Sequence, residues 1–163
     1  MSVSHHATRS NAVLYAVAAF SLAAALIHLW VMPEHFEEWW GYGTFFLASA
    51  FAQGLYAPGL LLWPNRAVLL AGVAGNLAIL ILWLVTRTSG IPFFGPHAGE
   101  VEDVGTLDLV CTLAEVGIIA GLGVLTMRDL PTERRIQIVV VLATSALLFW
   151  HLLHLLAGSA SHG

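Results

Sequence analysis

Five apolar runs, each about as long as a membrane-crossing helix, constrain this 163-residue chain more than any other feature. A transmembrane helix takes about 20 apolar residues, and inside hydrocarbon the backbone must satisfy its own hydrogen bonds. Only 10% of the residues are charged, against roughly 25% in soluble domains. The sequence therefore predicts an all-α integral membrane protein with five transmembrane helices, over 11–32, 44–63, 67–87, 104–127 and 136–157.

The predicted helices form a single transmembrane domain over 11–157, with flexible tails at 1–10 and 158–163. Pro33 is expected to end the first helix, and Pro131 to separate the fourth from the fifth, because proline cannot continue a helix without losing a hydrogen bond. The first apolar run is longer than the 7–15 residues typical of a signal peptide. We therefore interpret it as a retained helix.

The arginines determine the expected orientation. Five of the six arginines fall in cytoplasmic segments if the N-terminus is cytoplasmic, and Arg87 is the exception. The opposite topology would put only one arginine inside, against the positive-inside rule. We therefore expect a plasma (inner) membrane protein with a cytoplasmic N-terminus and an extracytoplasmic C-terminus.

Three groups of histidines and carboxylates fall at or near the outer ends of the predicted helices. Within each group a histidine stands three residues before a carboxylate or a second histidine, a spacing that puts side chains on one helical face. Mixed imidazole and carboxylate ligation suits zinc, copper, iron or manganese. Such groups are costly next to hydrocarbon, which favours a function for them. The candidate metal ligands and their partners, on the extracytoplasmic side, are His28, His35, His97, His151, His154, Glu34, Glu38, Glu100 and Asp103.

A polar stripe runs inward along the predicted fourth helix. Asp108, Cys111 and Glu115 stand at positions i, i+3 and i+7, which lie on one helical face. A carboxylate near the bilayer centre, such as that of Glu115, must face the bundle interior and find a partner. We expect that partner to be Gln53 or Asn76. We treat Asp108 and Glu115 as candidate catalytic residues that would relay protons or line an entry path.

Several function classes are not expected. The chain has no glycine-rich phosphate loop and no basic stripe, so nucleotide and nucleic-acid partners are not predicted. It has no lysine for a Schiff base and one cysteine, Cys111, which forms neither an intramolecular disulfide nor a four-cysteine cluster. No thiolate is expected near the histidines. The expected partners are the lipid bilayer and either a second copy or another membrane subunit.

The leading hypothesis is a metal site used for redox or hydrolytic chemistry or for metal handling. One alternative is a b-type cytochrome in which His28 and His151 bind haem b as axial ligands. A second is a proton or ion transporter that uses the stripe from Asp108 to Glu115, and a third is an accessory subunit of a larger membrane complex. Depth along the helices does not fix lateral position, so convergence of the three groups stays open.

Overall fold

Four long helices make up the described part of the chain. The computed structural model describes residues 2–128, 130–133, 136, 137 and 140. Within these residues there is no strand, and all four helices are long and apolar enough to cross a membrane. This confirms the all-helical membrane class. The helices are α1 (Ser2–Glu38), α2 (Trp40–Leu62), α3 (Arg66–Thr88) and α4 (Thr106–Met127).

The chain divides into two compact units, Met1–Thr126 and Met127–Gly163. Every contact discussed below belongs to the first unit. The predicted fifth helix, 136–157, lies almost entirely outside the described residues, and so do His151 and His154.

The first helix is longer than the sequence predicts. Pro33 lies inside α1, which continues to Glu38 and also includes residues 2–10, expected to be a tail. Pro33 removes one backbone donor, but the last turn is closed by other hydrogen bonds. Trp39 N–H donates to the His35 carbonyl at 3.0 Å, and His35 Nδ1 lies 2.8 Å from the Val31 carbonyl. α2 to α4 begin and end within four residues of their predicted positions.

α1 and α2 form a tight antiparallel hairpin through a single non-helical residue. Trp39 has an extended backbone, and α2 begins at the next residue. Gly43 lets the hairpin close, because a Cβ there would overlap the ring of Phe36. Further along the hairpin, Ser21 Oγ donates to the Gln53 carbonyl at 2.7 Å.

Small residues let α1 and α4 approach each other. Val17 and Leu122 are buried in one apolar core with Leu60 of α2, and Val73 of α3 packs against it. Gly121 lies in the same contact, where a Cβ would overlap Cγ2 of Val17. Close approach at small residues is the usual means of helix packing in membranes, where the hydrophobic effect contributes little.

Many large apolar side chains point away from this core. Leu26, Trp30, Leu55 and Leu113 are each more than 60% exposed. In water such a surface would favour aggregation, whereas hydrocarbon solvates it. The outward apolar surface is therefore consistent with a bilayer around the helices.

The first prediction concerns the contact between α1 and α4. Gly121→Ala should lower the free energy of unfolding by about 1–3 kcal/mol, because an added methyl overpacks a core whose valine is restricted to few rotamers. Gly75→Ala is the matched control, since a Cβ at Gly75 meets nothing within 4 Å. Thermal unfolding in detergent should show a loss for Gly121→Ala only. Equal stability of the two variants would contradict this packing.

Candidate functional site

Three chemically reactive side chains from α1 and α4 meet inside the bundle. His28 Nε2 lies 3.3 Å from Glu115 Oε1 and 3.6 Å from Cys111 Sγ, and the thiol lies 3.9 Å from the same carboxylate oxygen. All three side chains are buried, with relative exposures of 5% for His28, 7% for Cys111 and 2% for Glu115. We call these residues the triad.

A chain of amide groups orients a donor toward Glu115. Asn76 Nδ2 donates to the Gly72 carbonyl at 2.8 Å, which turns Asn76 Oδ1 toward Gln53. Gln53 Nε2 then donates to Asn76 Oδ1 at 3.1 Å and to Glu115 Oε1 at 3.2 Å. A flipped Gln53 amide would set its oxygen against two other oxygens, so the direction of the chain is fixed. Gln53 is one of the two partners that the sequence predicts for Glu115.

The triad forms one part of the wall of a cavity of about 340 Å³. Side chains from α1 to α4 and from the segment 89–105 line it. The lining includes members of two of the three predicted histidine and carboxylate groups, together with the α4 stripe. The predicted site residues that line it are His28, His35, Glu38, His97, Glu100, Asp108 and Glu115.

His35 is held by two contacts, a hydrogen bond from Nδ1 and the packing of its ring on an aromatic neighbour. Nδ1 lies 2.8 Å from the Val31 carbonyl, and the imidazole packs on Phe46 with ring centroids 4.0 Å apart. A carbonyl only accepts hydrogen bonds, so Nδ1 is the donor in this contact, and in the neutral imidazole the lone pair lies on Nε2. The ring of His28 lies against the same Phe46, at 5.6 Å.

Asp108 is engaged in an ion pair. Arg87 NH2 lies 2.5 Å from Asp108 Oδ2, and Arg87 NH1 pairs with Glu102. The same Asp108 oxygen accepts the backbone N–H of Gly105 at 3.2 Å, just before α4 begins. Arg87 and the Gly105 N–H thus hold the Asp108 carboxylate at the start of α4. A proton bound to Asp108 would compete with these two contacts.

The segment between α3 and α4 is fixed at both ends and in the middle. Glu102 N–H donates to the Thr86 carbonyl at 3.0 Å, and Tyr42 Oη donates to the Phe94 carbonyl at 3.1 Å. Gly90 has a φ of 66°, a left-handed conformation that glycine adopts without strain. His97 and Glu100 contact each other in this segment at 3.0 Å and are both exposed.

Two other predicted site residues do not join the cavity wall. Glu34 and Asp103 are exposed and lie outside the set of described residues that line it. His151 and His154 lie outside the described residues. Their role as candidate ligands therefore stays a prediction.

Cys111 is the site residue that the sequence reasoning missed as a neighbour of histidine. The predicted end of the first helix at residue 32 put His28 near the outer surface. Because α1 continues to Glu38, His28 lies ten residues from its end, or about 15 Å at 1.5 Å per residue. That depth matches Glu115, nine residues after the start of α4 at Thr106. If the depth of His28 had been measured from the end of α1 at Glu38, His28 would have been placed level with Cys111 and Glu115 of the α4 stripe.

Comparison with models of known protein families, with curated proteins and with solved structures found no match. The functional argument therefore depends on the geometry of the triad and its cavity.

The second prediction concerns the ion pair. Arg87→Gln should lower the free energy of unfolding by about 1–3 kcal/mol, since it leaves the Asp108 carboxylate without its cation. The Arg87 side chain is only 11% exposed, but its partners are partly solvated, which reduces the cost. Exposed Arg66→Gln is the control.

The pair itself is tested by a double-mutant cycle measured by unfolding in detergent. Arg87→Gln combined with Asp108→Asn should lose less than the sum of the two single variants. Strict additivity would show that the two side chains do not stabilise each other.

Proposed function

We propose that this protein binds a divalent transition-metal ion within the membrane through His28, Cys111 and Glu115. The supporting observation is the mutual spacing of the ligand atoms. A tetrahedral zinc ion with usual bond lengths separates nitrogen from oxygen by about 3.4 Å, and sulfur from either by about 3.6 Å. The corresponding distances in the triad are 3.3, 3.6 and 3.9 Å.

The cavity beside the triad supports an exchangeable or catalytic site. Structural zinc sites use four protein ligands, whereas catalytic sites use three and leave one position for water or substrate. The triad offers three ligands, and all three residues line the cavity. An ion there would serve metal-assisted redox or hydrolytic chemistry, or metal handling. The sulfur ligand favours zinc, copper or iron over manganese.

The surroundings of the triad support the same proposal. Metal-binding carboxylates are generally hydrogen-bonded by neighbouring residues. The amide chain through Gln53 and Asn76 would supply that support for Glu115. His28 contributes Nε2, the ring nitrogen that lies nearest to both other ligands.

The full topology belongs to the proposal as well. We expect five spans in the plasma (inner) membrane, a cytoplasmic N-terminus, an extracytoplasmic C-terminus and a cavity that opens to the extracytoplasmic side. The arginine distribution supports this orientation. His151 and His154 of the predicted fifth helix are candidates for a further ligand. The proposed partner for the apolar surface is a second copy or another membrane subunit.

The third prediction tests the triad directly. Protein purified in detergent and loaded with Zn²⁺ should retain about one ion per chain, as measured by elemental mass spectrometry. His28→Ala, Cys111→Ser and Glu115→Gln should each weaken binding by about 100-fold or more, because even the neighbours that orient a ligand are worth about 10–100-fold. Chelator competition measures the affinity.

His97→Ala is the matched control, since His97 lines the cavity but is exposed and lies outside the triad. The equilibrium affinity of the His97→Ala variant for Zn²⁺ should equal that of the unaltered protein. Retention of zinc by all three triad variants would overturn the proposed site.

A second candidate function is proton conduction. The 3.3 Å contact of His28 Nε2 with Glu115 Oε1 joins two groups that exchange protons readily, at the wall of a cavity. In proteoliposomes with a pH-sensitive dye, this candidate predicts metal-independent flux that Glu115→Gln abolishes and Cys111→Ser preserves. Absence of flux in the unaltered protein would exclude it, while zinc binding would be unaffected.

Haem b remains the alternative cofactor, with His28 and His151 as its proposed ligands. His28 Nε2 lies within 3.6 Å of both Cys111 and Glu115, so a porphyrin would have to displace both contacts. A haem absorption band in the purified protein would favour this alternative over the triad.

A further inference from the structure

The cavity wall carries an excess of negative charge. Five carboxylates line it, against one guanidinium, that of Arg87. Arg87 is paired with Glu102 and Asp108. Among the described residues, neither Glu38 nor Glu100 forms an ion pair with an arginine. A cleft with walls of one sign and a low dielectric concentrates counter-ions and raises their rate of association. The cavity therefore favours the entry of a cation.

His35 stands on this wall in a form suited to bind a metal ion. The Val31 carbonyl accepts from Nδ1, so in the neutral imidazole Nε2 is the nitrogen with the lone pair. A hydrogen bond from the other ring nitrogen is the arrangement that orients metal-binding histidines. Among the described residues no side chain or carbonyl hydrogen-bonds to His35 Nε2. The ring is further fixed by its contact with Phe46.

Glu38 extends the same face of α1. It follows His35 by three residues, and both line the cavity. His28 precedes His35 by seven residues on that face, which is about 10.5 Å along the helix. The rings of both histidines also lie against Phe46 of α2. An ion bound at His35 would thus be two helical turns from the triad.

We infer that the cavity is the entry path of the metal ion, and that His35 and Glu38 form an intermediate binding station between its outer end and the triad. This inference rests on the proposed function. The ion would be held by the lone pair of His35 Nε2 and by the Glu38 carboxylate, and then transferred to the ligands of the triad.

The fourth prediction uses the rate at which Co²⁺ reaches Cys111. Co²⁺ is a spectroscopic substitute for zinc, and its bond to a thiolate gives a charge-transfer absorption band that only the triad can produce, because the chain has one cysteine. After rapid mixing, His35→Phe and Glu38→Gln should each slow the growth of this band by about tenfold or more. The final amplitude should equal that of the unaltered protein.

Glu37→Gln is the matched control. Glu37 carries the same charge one residue away, is exposed and lies outside the set of lining residues. Its rate should equal that of the unaltered protein. His35→Phe keeps an aromatic ring against Phe46, and Glu38→Gln provides an independent variant if the first one fails to fold.

The outcomes separate the inference from the proposed function. A band that forms at equal rates in all four proteins would overturn the station but leave the triad site intact. A lower final amplitude in His35→Phe would make His35 a ligand of the final site and would overturn its transit role. No band even in the unaltered protein would overturn the triad site, and the entry path with it.

Discussion

Burial of the Glu115 carboxylate is the constraint on which the rest of the described bundle depends. A carboxylate that is 2% exposed inside an apolar bundle is tolerable only if hydrogen-bond partners replace water. Here α1 supplies His28 and α2 supplies Gln53, while α3 supplies Asn76, which orients Gln53. One acidic side chain on α4 therefore specifies how three other helices must face it. Each partner is polar and buried, so a rotation of any one helix would leave several groups unsatisfied.

The two carboxylates of the α4 stripe differ because their environments differ. Asp108, seven residues before Glu115, lies beside Arg87 and the backbone N–H of Gly105. Its charge is matched locally, and its role is to join the start of α4 to the end of α3. Glu115 has a histidine and a thiol as neighbours instead of a cation. Such neighbours can exchange protons or share a metal ion, so the reactive end of the stripe is the buried one.

Hydropathy and spacing were sufficient to predict the all-helical membrane class and to place α2 to α4 within four residues of their bounds. They named Gln53 as one of two candidate amide partners of Glu115. The bounds of α1 were wrong because Pro33 was read as a stop, whereas neighbouring hydrogen bonds sustain the helix to Glu38. That error in length became an error in the depth of His28, and it hid the proximity of Cys111. Lateral convergence on one cavity could not be predicted, because periodicity gives the face of a helix but not its neighbour.

The thiol of Cys111 is the group that distinguishes the two leading interpretations of the triad. A proton path through His28 and Glu115 needs only an imidazole and a carboxylate, which already lie 3.3 Å apart. The sulfur adds little to such a path, since the imidazole and the carboxylate are already in contact without it. For a borderline metal ion, in contrast, the thiol would release its proton on binding and supply a thiolate as a strong third ligand at the spacing of a tetrahedral site. The position of Cys111, four residues before Glu115 on the same face, therefore favours metal binding over proton conduction.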